Sequence, residues 1–433
     1  MTVIGLDDTD SRERGMCTTY LAARVAARLR DRGHRVSRLL LVRLNPAIEH
    51  KTRGNAALAV HADVEPDDAF ALASEEVDDA AEVGDPNTNP GLVVAPGPDV
   101  SAAIADFSSR AVRDRLSIRE ARQACETARY DFRGWGNARG LIGALAAVGS
   151  WQAFAEWTTE HIAYREPDHW GTPRSVDRES VFAADGRGYP DTWDTVDRGE
   201  REIVCVPRTP CPVLFGIRGD DPATVRRVAA GIESEPVAGT ETFLTNQGTD
   251  AHLRDGDIET AREGYAYRLS GVVTSAPETR RGGHVFFDLS DRSPARPSGT
   301  DGNDAASTLA CVAFEPTKRF RDRVRALCVG DRLTVCGEVS TGTLKLEKFA
   351  VRDLVRTERV VPTCPDCESS MESAGREQGY RCRDCHTHRD GKVSRRIDRD
   401  LEIGWYEVPP RARRHVAKPL VRGGFDAPTH PER

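Results

Sequence analysis

The chain has 433 residues, 39% of them hydrophobic and 30% charged, with a net charge of −7. This balance supports several packed domains and excludes wholesale disorder, a collagen-like repeat and a disulfide scaffold. The opening MTVIGLDDTDSRERG lacks the basic start and apolar run of a secretion signal, and no stretch approaches a membrane span, so a cytoplasmic protein without membrane contact is expected.

In chain order, TVIGL reads as a buried strand whose carboxyl end delivers Asp7, Asp8 and Asp10 into a turn, and from Thr18 onward a helix follows with Leu21, Ala22, Val25, Ala26 and Leu29 on one face and Gly33 after its end. Residues 36–45 and 55–64 read as two further strands around the polar turn HKTRGN, 67–83 as a helix and 85–98 as a Pro/Gly/Asn loop. Helical text at 102–130 is broken by RGWGNARG, after which LIGALAAVG reads as a buried helix. A second stretch, a strand at 211–219, a helix at 223–233 and a strand at 241–245, suits a ferredoxin-like or split βαβ unit. Strands at 267–274, 284–289, 308–314, 332–339 and 343–351, with a helix at 316–327 after the third, have the order of an OB-fold barrel, with 291–306 as a polar inserted loop.

The paired Cys364, Cys367 and Cys382, Cys385 offer four thiolates to one tetrahedral Zn²⁺, a closed and therefore structural site, although His386 or His388 could replace one Cys. Residues 392–422 carry nine Lys/Arg against four Asp/Glu, with Trp405, Tyr406 and His415 interleaved. Cations that track phosphates and rings that stack on bases are what RNA contact requires. The three aspartates repel one another unless a divalent cation compensates, and Mg²⁺ shared with substrate phosphates is the usual solution. Gly15 to Thr19 lead into a helix N-terminus able to meet a phosphate. Lys51, the only lysine in the first 317 residues, and Arg53 could neutralise a triphosphate, and Gly136, Asn137 and Gly140 form a second glycine-rich loop. No G-x-x-x-x-G-K-[ST] is present, so a P-loop is not supported.

GLDDTDS, GMCTTYL, HKTRGN, GNARGLIGAL, CPVLFGIRG, TNQGTDAHL, the five-strand segment, the Cys pairs and the closing GWYEVPPRARRHVAKPLVR together resemble the archaeal tRNA(Ile) 2-agmatinylcytidine synthetase family over nearly the whole chain. The resemblance implies a multidomain α+β protein: a kinase-like α/β domain and a ferredoxin-like domain within 1–255, an OB-fold β-barrel at 262–356, a zinc ribbon at 358–392 and a basic tail at 393–433. It implies an ATP- and Mg²⁺-dependent ligase that phosphorylates the wobble cytidine of the CAU-anticodon isoleucine tRNA and then joins agmatine to it. Carried over by position, Asp7, Asp8 and Asp10 would bind Mg²⁺, and Thr18 would contact or accept a phosphoryl group. Lys51, Arg53, Gly136, Asn137, Arg139 and Gly140 would complete the ATP pocket. Asp220, Asn246 and Asp250 are the expected agmatine contacts. A metal-dependent phosphoesterase and a non-catalytic RNA binder are the competing readings; neither requires ATP or an amine.

Overall fold

The computed structural model describes residues 1–48, 54–292 and 307–433. Lys51, Arg53 and most of the expected loop at 291–306 lie outside the described residues. The first half runs β1 (Thr2–Asp7), α1 (Thr18–Asp31), β2 (Val36–Arg43), β3 (Ala56–Ala62), α2 (Pro66–Ala80), β4 (Gly91–Ala95), α3 (Ala102–Arg113), α4 (Ile118–Ala128) and β5 (Asp131–Gly134). The second runs α5 (Leu141–Ala153), β6 (Thr158–Arg165), α6 (Arg178–Gly188), β7 (Thr192–Trp193), the hairpin β8 (Val196–Asp197) and β9 (Glu202–Ile203), β10 (Val213–Gly219), α7 (Pro222–Ala230) and β11 (Val237–Thr245).

These halves share one nine-stranded sheet in the order β5, β4, β1, β3, β2, β11, β6, β10, β7. The join is the parallel pair β2 and β11, with Leu40 opposite Leu244. Strand alternation sorts the cores. Ile4, Leu6, Leu58 and Val60 pack under one face with Leu21, Val25 and Leu29 of α1, whereas Val3, Leu40, Val42 and Val93 meet Phe107 and Leu145 on the other. Helix α5 is apolar nearly all round, as a helix buried between layers must be. It approaches the sheet backbone to backbone, since a Cβ on Gly140 would run into the amide of Gly91 and the carbonyl of Asp7.

Two expectations change here. The stretch read as a loop at 85–98 holds β4, a fully buried strand beside β1; its five-residue apolar run was hidden by flanking Pro, Gly and Asn. The helical text at 102–130 is two helices, because Ser117 and Glu120 form a capping box that starts α4 afresh.

After β12 (Leu253–Asp255) come β13 (Tyr265–Val273), β14 (Glu278–Thr279), β15 (Val285–Ser290), β16 (Thr308–Ala313), α8 (Phe320–Arg325), β17 (Arg332–Ser340) and β18 (Thr343–Asp353). Strands β13, β15, β16, β18 and β17 pair in that order and β17 closes on β13, making a five-stranded barrel with α8 between its third and fourth strands. Leu269, Phe287, Val335 and Phe349 fill it. Strand β19 (Thr357–Val360) then pairs with β23 (Val393–Arg396), and between them stand β20 (Glu372–Ser373), β21 (Tyr380–Arg381) and β22 (His388–Arg389), with Cys364 and Cys367 before β20 and Cys382 and Cys385 between β21 and β22.

Residues 393–433 are not a loose basic tail. Beyond β23, β24 (Gly404–Glu407) extends the barrel sheet by pairing with β18, and β25 (Thr429–His430) pairs with β24. Trp405 and Tyr406, expected to stack on bases, are only 3% and 5% exposed. Apolar ring area is worth more in a core than in water, and the Trp405 Nε1–H finds Asp426 at 2.8 Å. The basic residues are met by acids, most of them from other segments: Arg413 by Asp194 and by Glu407 of β24, and Arg414 by Glu338 and Glu347.

Candidate active site

The carboxyl end of β1 delivers its aspartates into a cavity of about 740 Å³ whose wall carries Asp7, Asp8, Asp10, Thr18 and Arg139. The Asp7 carboxylate lies against α5, where a Cβ on Gly143 would land on it. Burial pushes the Asp7 carboxyl well above the usual carboxylate range, and repulsion from Asp8 and Asp10 adds to this. Asp8 adopts φ 58°, a left-handed conformation that a non-glycine residue keeps only when its surroundings enforce it. Burial raises its carboxyl too, against the pull of Arg139. Arg139 Nη2 donates to Asp8 Oδ2 at 2.7 Å, and the Asn89 amide donates to the same oxygen at 3.1 Å.

Thr18 opens α1. Its Oγ1 accepts from Thr9 Oγ1 at 3.0 Å. No side chain caps this helix and its first turn carries no acid, so its free N–H groups and dipole favour an anion beside Thr18. The cavity is therefore acidic at the end of β1 and anion-favouring at the start of α1. The same cavity is lined by Leu41, Leu44, Leu116, Ile118 and Ile142, an apolar set suited to a nucleobase.

The structure thus brings together Asp7, Asp8, Asp10, Thr18 and Arg139. Gly136, Asn137 and Gly140 stand one layer behind. The Asn137 amide donates to Asn89 Oδ1 at 2.9 Å and Asn137 Oδ1 accepts from the Arg139 amide at 2.9 Å, so this loop aims Arg139 rather than lining the cavity. Asp220, Asn246 and Asp250 are not on the cavity wall. Asp220 pairs with Arg422 at 2.7 Å, Asn246 bridges the backbone N–H and C=O of Arg43, and Asp250 pairs with Lys348 at 2.8 Å.

Other wall residues escaped the sequence reading. Arg43 ends β2, Glu160 lies in β6 and Arg218 in β10. Arg43 and Arg218 are charges at or near the end of apolar strands, a signal open to a sequence reading, whereas Glu160 stands among polar residues in TTEHIAYR and gave none. Arg218 Nε lies 3.3 Å from Glu160 Oε1 and Arg43 Nη2 lies 3.9 Å from Glu160 Oε2. Burial brings Arg43 down to about 10, with Glu160 opposing and Arg218 assisting. His415, expected on an RNA-facing tail, instead reaches the cavity, where burial and then Arg218 and Arg43 push its pKa well below the usual histidine value.

Outside this cavity's lining, the Sγ atoms of Cys364, Cys367, Cys382 and Cys385 all lie within 4.8 Å of one another, the only such metal-ligand group among the described residues. No helix of the described residues is long and apolar enough to cross a membrane.

An acidic strand end, an uncapped helix start and buried arginines around one cavity of about 740 Å³ define a phosphate-handling enzyme, carried on one chain with a barrel and a four-cysteine ribbon. Family models described as the TiaS TCKD domain, the TiaS FLD domain and the TiaS C-terminal zinc ribbon domain match residues 3–134, 138–252 and 361–401. The isoleucine-tRNA 2-agmatinylcytidine synthetase TiaS of Haloquadratum walsbyi is 53% identical with all of both chains covered, and that of Methanosarcina mazei is 45% identical over 97% of each. A crystal structure of TiaS in complex with its isoleucine tRNA and ATP is similar at TM-score 0.87 and 39% identity, covering 100% of this chain and 99% of that one. A complex of TiaS with the same tRNA, AMPCPP and agmatine is similar at TM-score 0.86 and 36% identity, with the same coverage. The chain belongs to the TiaS family.

Proposed function

We propose that this protein is an ATP-dependent ligase that joins agmatine to the wobble cytidine of the CAU-anticodon isoleucine tRNA, giving 2-agmatinylcytidine by way of a cytidine phosphorylated on its 2-oxygen. The observation that carries the reading is the meeting of Asp7, Asp8, Asp10, Thr18 and Arg139 in one cavity, in a chain whose relatives of that name match end to end. A carbonyl oxygen leaves poorly. Once it carries the γ-phosphoryl of ATP it departs as phosphate when the agmatine amine attacks C2, so the protein's task is to position phosphates and offset their charge.

Burial raises both Asp7 and Asp8, with repulsion from Asp8 and Asp10 adding at Asp7 and from Asp10 at Asp8, and a divalent cation among these hard oxygen donors would offset that cost. Asp7, Asp8 and Asp10 fit Mg²⁺, which when bound supplies charge neutralisation for the phosphates. Thr18 and the α1 N-terminus contact the phosphoryl groups, and Arg139 aims Asp8 and opposes the rise that burial imposes on its carboxyl. The four clustered sulfurs fit a tetrahedral Zn²⁺ with no open position, a structural role. In the second half the strands stand in the order β11, β6, β10, β7 with α6 and α7 as the connecting helices, which supports the ferredoxin-like reading; the first half is read as kinase-like from its phosphate-facing turn and Thr18.

The test is mass spectrometry of nucleosides from CAU-anticodon isoleucine tRNA incubated with the protein, Mg²⁺, ATP and agmatine. A cytidine heavier by agmatine minus water, dependent on ATP, is expected; RNA cleavage without ATP would point to a nuclease instead. Asp8→Ala is expected to abolish the product while tRNA affinity in filter binding stays unchanged.

A further inference from the structure

Arg43 and Arg218 have no evident task in the chemistry of the aspartate turn, yet both are buried in the cavity wall, with side chains 13% and 10% exposed. One carboxylate, Glu160, serves both, and it also accepts from Gln247. Asp194 lies 3.8 Å from Arg218 but is held by the fully buried Arg413. Among the described residues, the Arg43 side chain reaches the Gly54 carbonyl from Nη1 at 3.2 Å, Gln247 Oε1 from Nη2 at 3.4 Å and Glu160 from Nη2 at 3.9 Å, and its buried Nε has no partner. His415 Nδ1 is likewise buried without a partner on the same wall. Two largely buried guanidiniums sharing one carboxylate on a cavity wall leave positive charge that an anion with several oxygens would complete.

We propose that Arg43, Arg218 and His415 form a second anion subsite, distinct from the aspartate turn, that takes a polyphosphate group: the terminal phosphates of ATP, or free pyrophosphate. The inference rests on the reading that ATP is the cavity's substrate. His415 comes from the segment after β24, so the subsite is complete only when the C-terminal segment is docked against the catalytic body, where the Gly248 amide donates to the His415 carbonyl at 2.8 Å. When an anion sits between the arginines, their repulsion on the imidazole is offset and the ring can donate to the anion.

The experiment is calorimetric titration of pyrophosphate into the full-length protein without added Mg²⁺, so that the aspartates alone repel it. Binding is expected, weakened about tenfold in Arg218→Lys through loss of the forked donor and about threefold in His415→Gln, with Asp8→Asn as tight or tighter. Melting curves check that each variant is folded, and His415→Gln stands in if Arg218→Lys is not. Absence of binding to the native protein, loss in Asp8→Asn, or no change in a folded Arg218→Lys overturns the proposal. Displacement of pyrophosphate by ATP but not AMP assigns the subsite to the terminal phosphates, and binding of both together assigns it to free pyrophosphate. Displacement by tRNA alone would give the site to an RNA backbone phosphate and end the proposal. Nucleoside analysis on the same preparations separates the two readings: modification without a pyrophosphate site sinks this inference only, and a pyrophosphate site without modification sinks only the proposed function.

Discussion

Gly143 shows how much of the site is decided by one missing methyl group. A Cβ there would occupy the space of the Asp7 carboxylate, so Gly143→Ala is expected to push Asp7 off its position. Turnover in a single-turnover assay should fall by about tenfold or more, tRNA Kd should hold, and the overpacking cost of ~1–3 kcal/mol should appear as a lower Tm. The DDTD turn itself was legible, because three carboxylates at the end of an apolar strand are chemically conspicuous. Asn89 and Gly143 were not: their roles depend on the β4 and α5 backbones lying against Asp8 and Asp7, a distance along the chain of more than eighty residues for the first and more than a hundred for the second. The same limit explains Asp220, Asn246 and Asp250, whose polar character suited a cationic substrate until Arg422, Arg43 and Lys348 were seen to satisfy them.

The ribbon and the C-terminal segment illustrate opposite ways to hold a small unit. Within the ribbon the buried hydrophobic cluster is only Cys364, Met371 and Cys382, too little for independent folding, so metal binding and folding are one event. Cys367→Ser is expected to lose zinc in metal analysis and to open residues 361–401 to protease while the catalytic body stays resistant. The spacing of the Cys pairs was enough to read this unit, since its ligands lie close in sequence. The C-terminal segment, by contrast, is held by distant charges. Arg413, 3% exposed, bridges Asp194 of the catalytic body and Glu407 of β24. Arg413→Gln leaves two buried carboxylates facing each other and is expected to cost roughly 3–5 kcal/mol, seen as a drop in Tm and in denaturant midpoint. A basic excess counted along the chain could not show this, because Asp194, Glu338 and Glu347 belong to other segments.

Between the catalytic body and the barrel lies a buried ionic seam. His252 Nε2 is 2.9 Å from Glu347 Oε2, Arg414 Nε is 2.8 Å from Glu347 Oε1, and Lys348 holds Asp250. Burial pushes the Glu347 carboxyl up, but His252, Arg414 and Lys348 outweigh it and hold it at about 2. A depressed folded-state pKa contributes stability that is fully present above the unfolded value and is lost as pH falls through the folded one. The seam therefore weakens between the ordinary glutamate range and pH 2, by about 3 kcal/mol in full. Denaturant titrations from pH 6 downward should show this slope, and Glu347→Gln should remove it. A slope unchanged in the variant would place acid sensitivity elsewhere.

The local patterns that determined much of this protein from sequence are those whose physics is short-ranged: the acidic turn after β1, the period of α1, the five barrel strands with a helix after the third, and two knuckles of cysteines. Each is complete within a few dozen residues, so spacing and side-chain chemistry suffice. Only the tertiary structure decided that the two halves of the catalytic region share one sheet through β2 and β11, that Trp405 and Tyr406 belong to the barrel rather than to an RNA face, and that Arg43, Glu160, Arg218 and His415 meet on one wall. Those outcomes turn on which buried charge or apolar face finds a partner far along the chain, and burial sets the energy of that choice only once the partners are in contact.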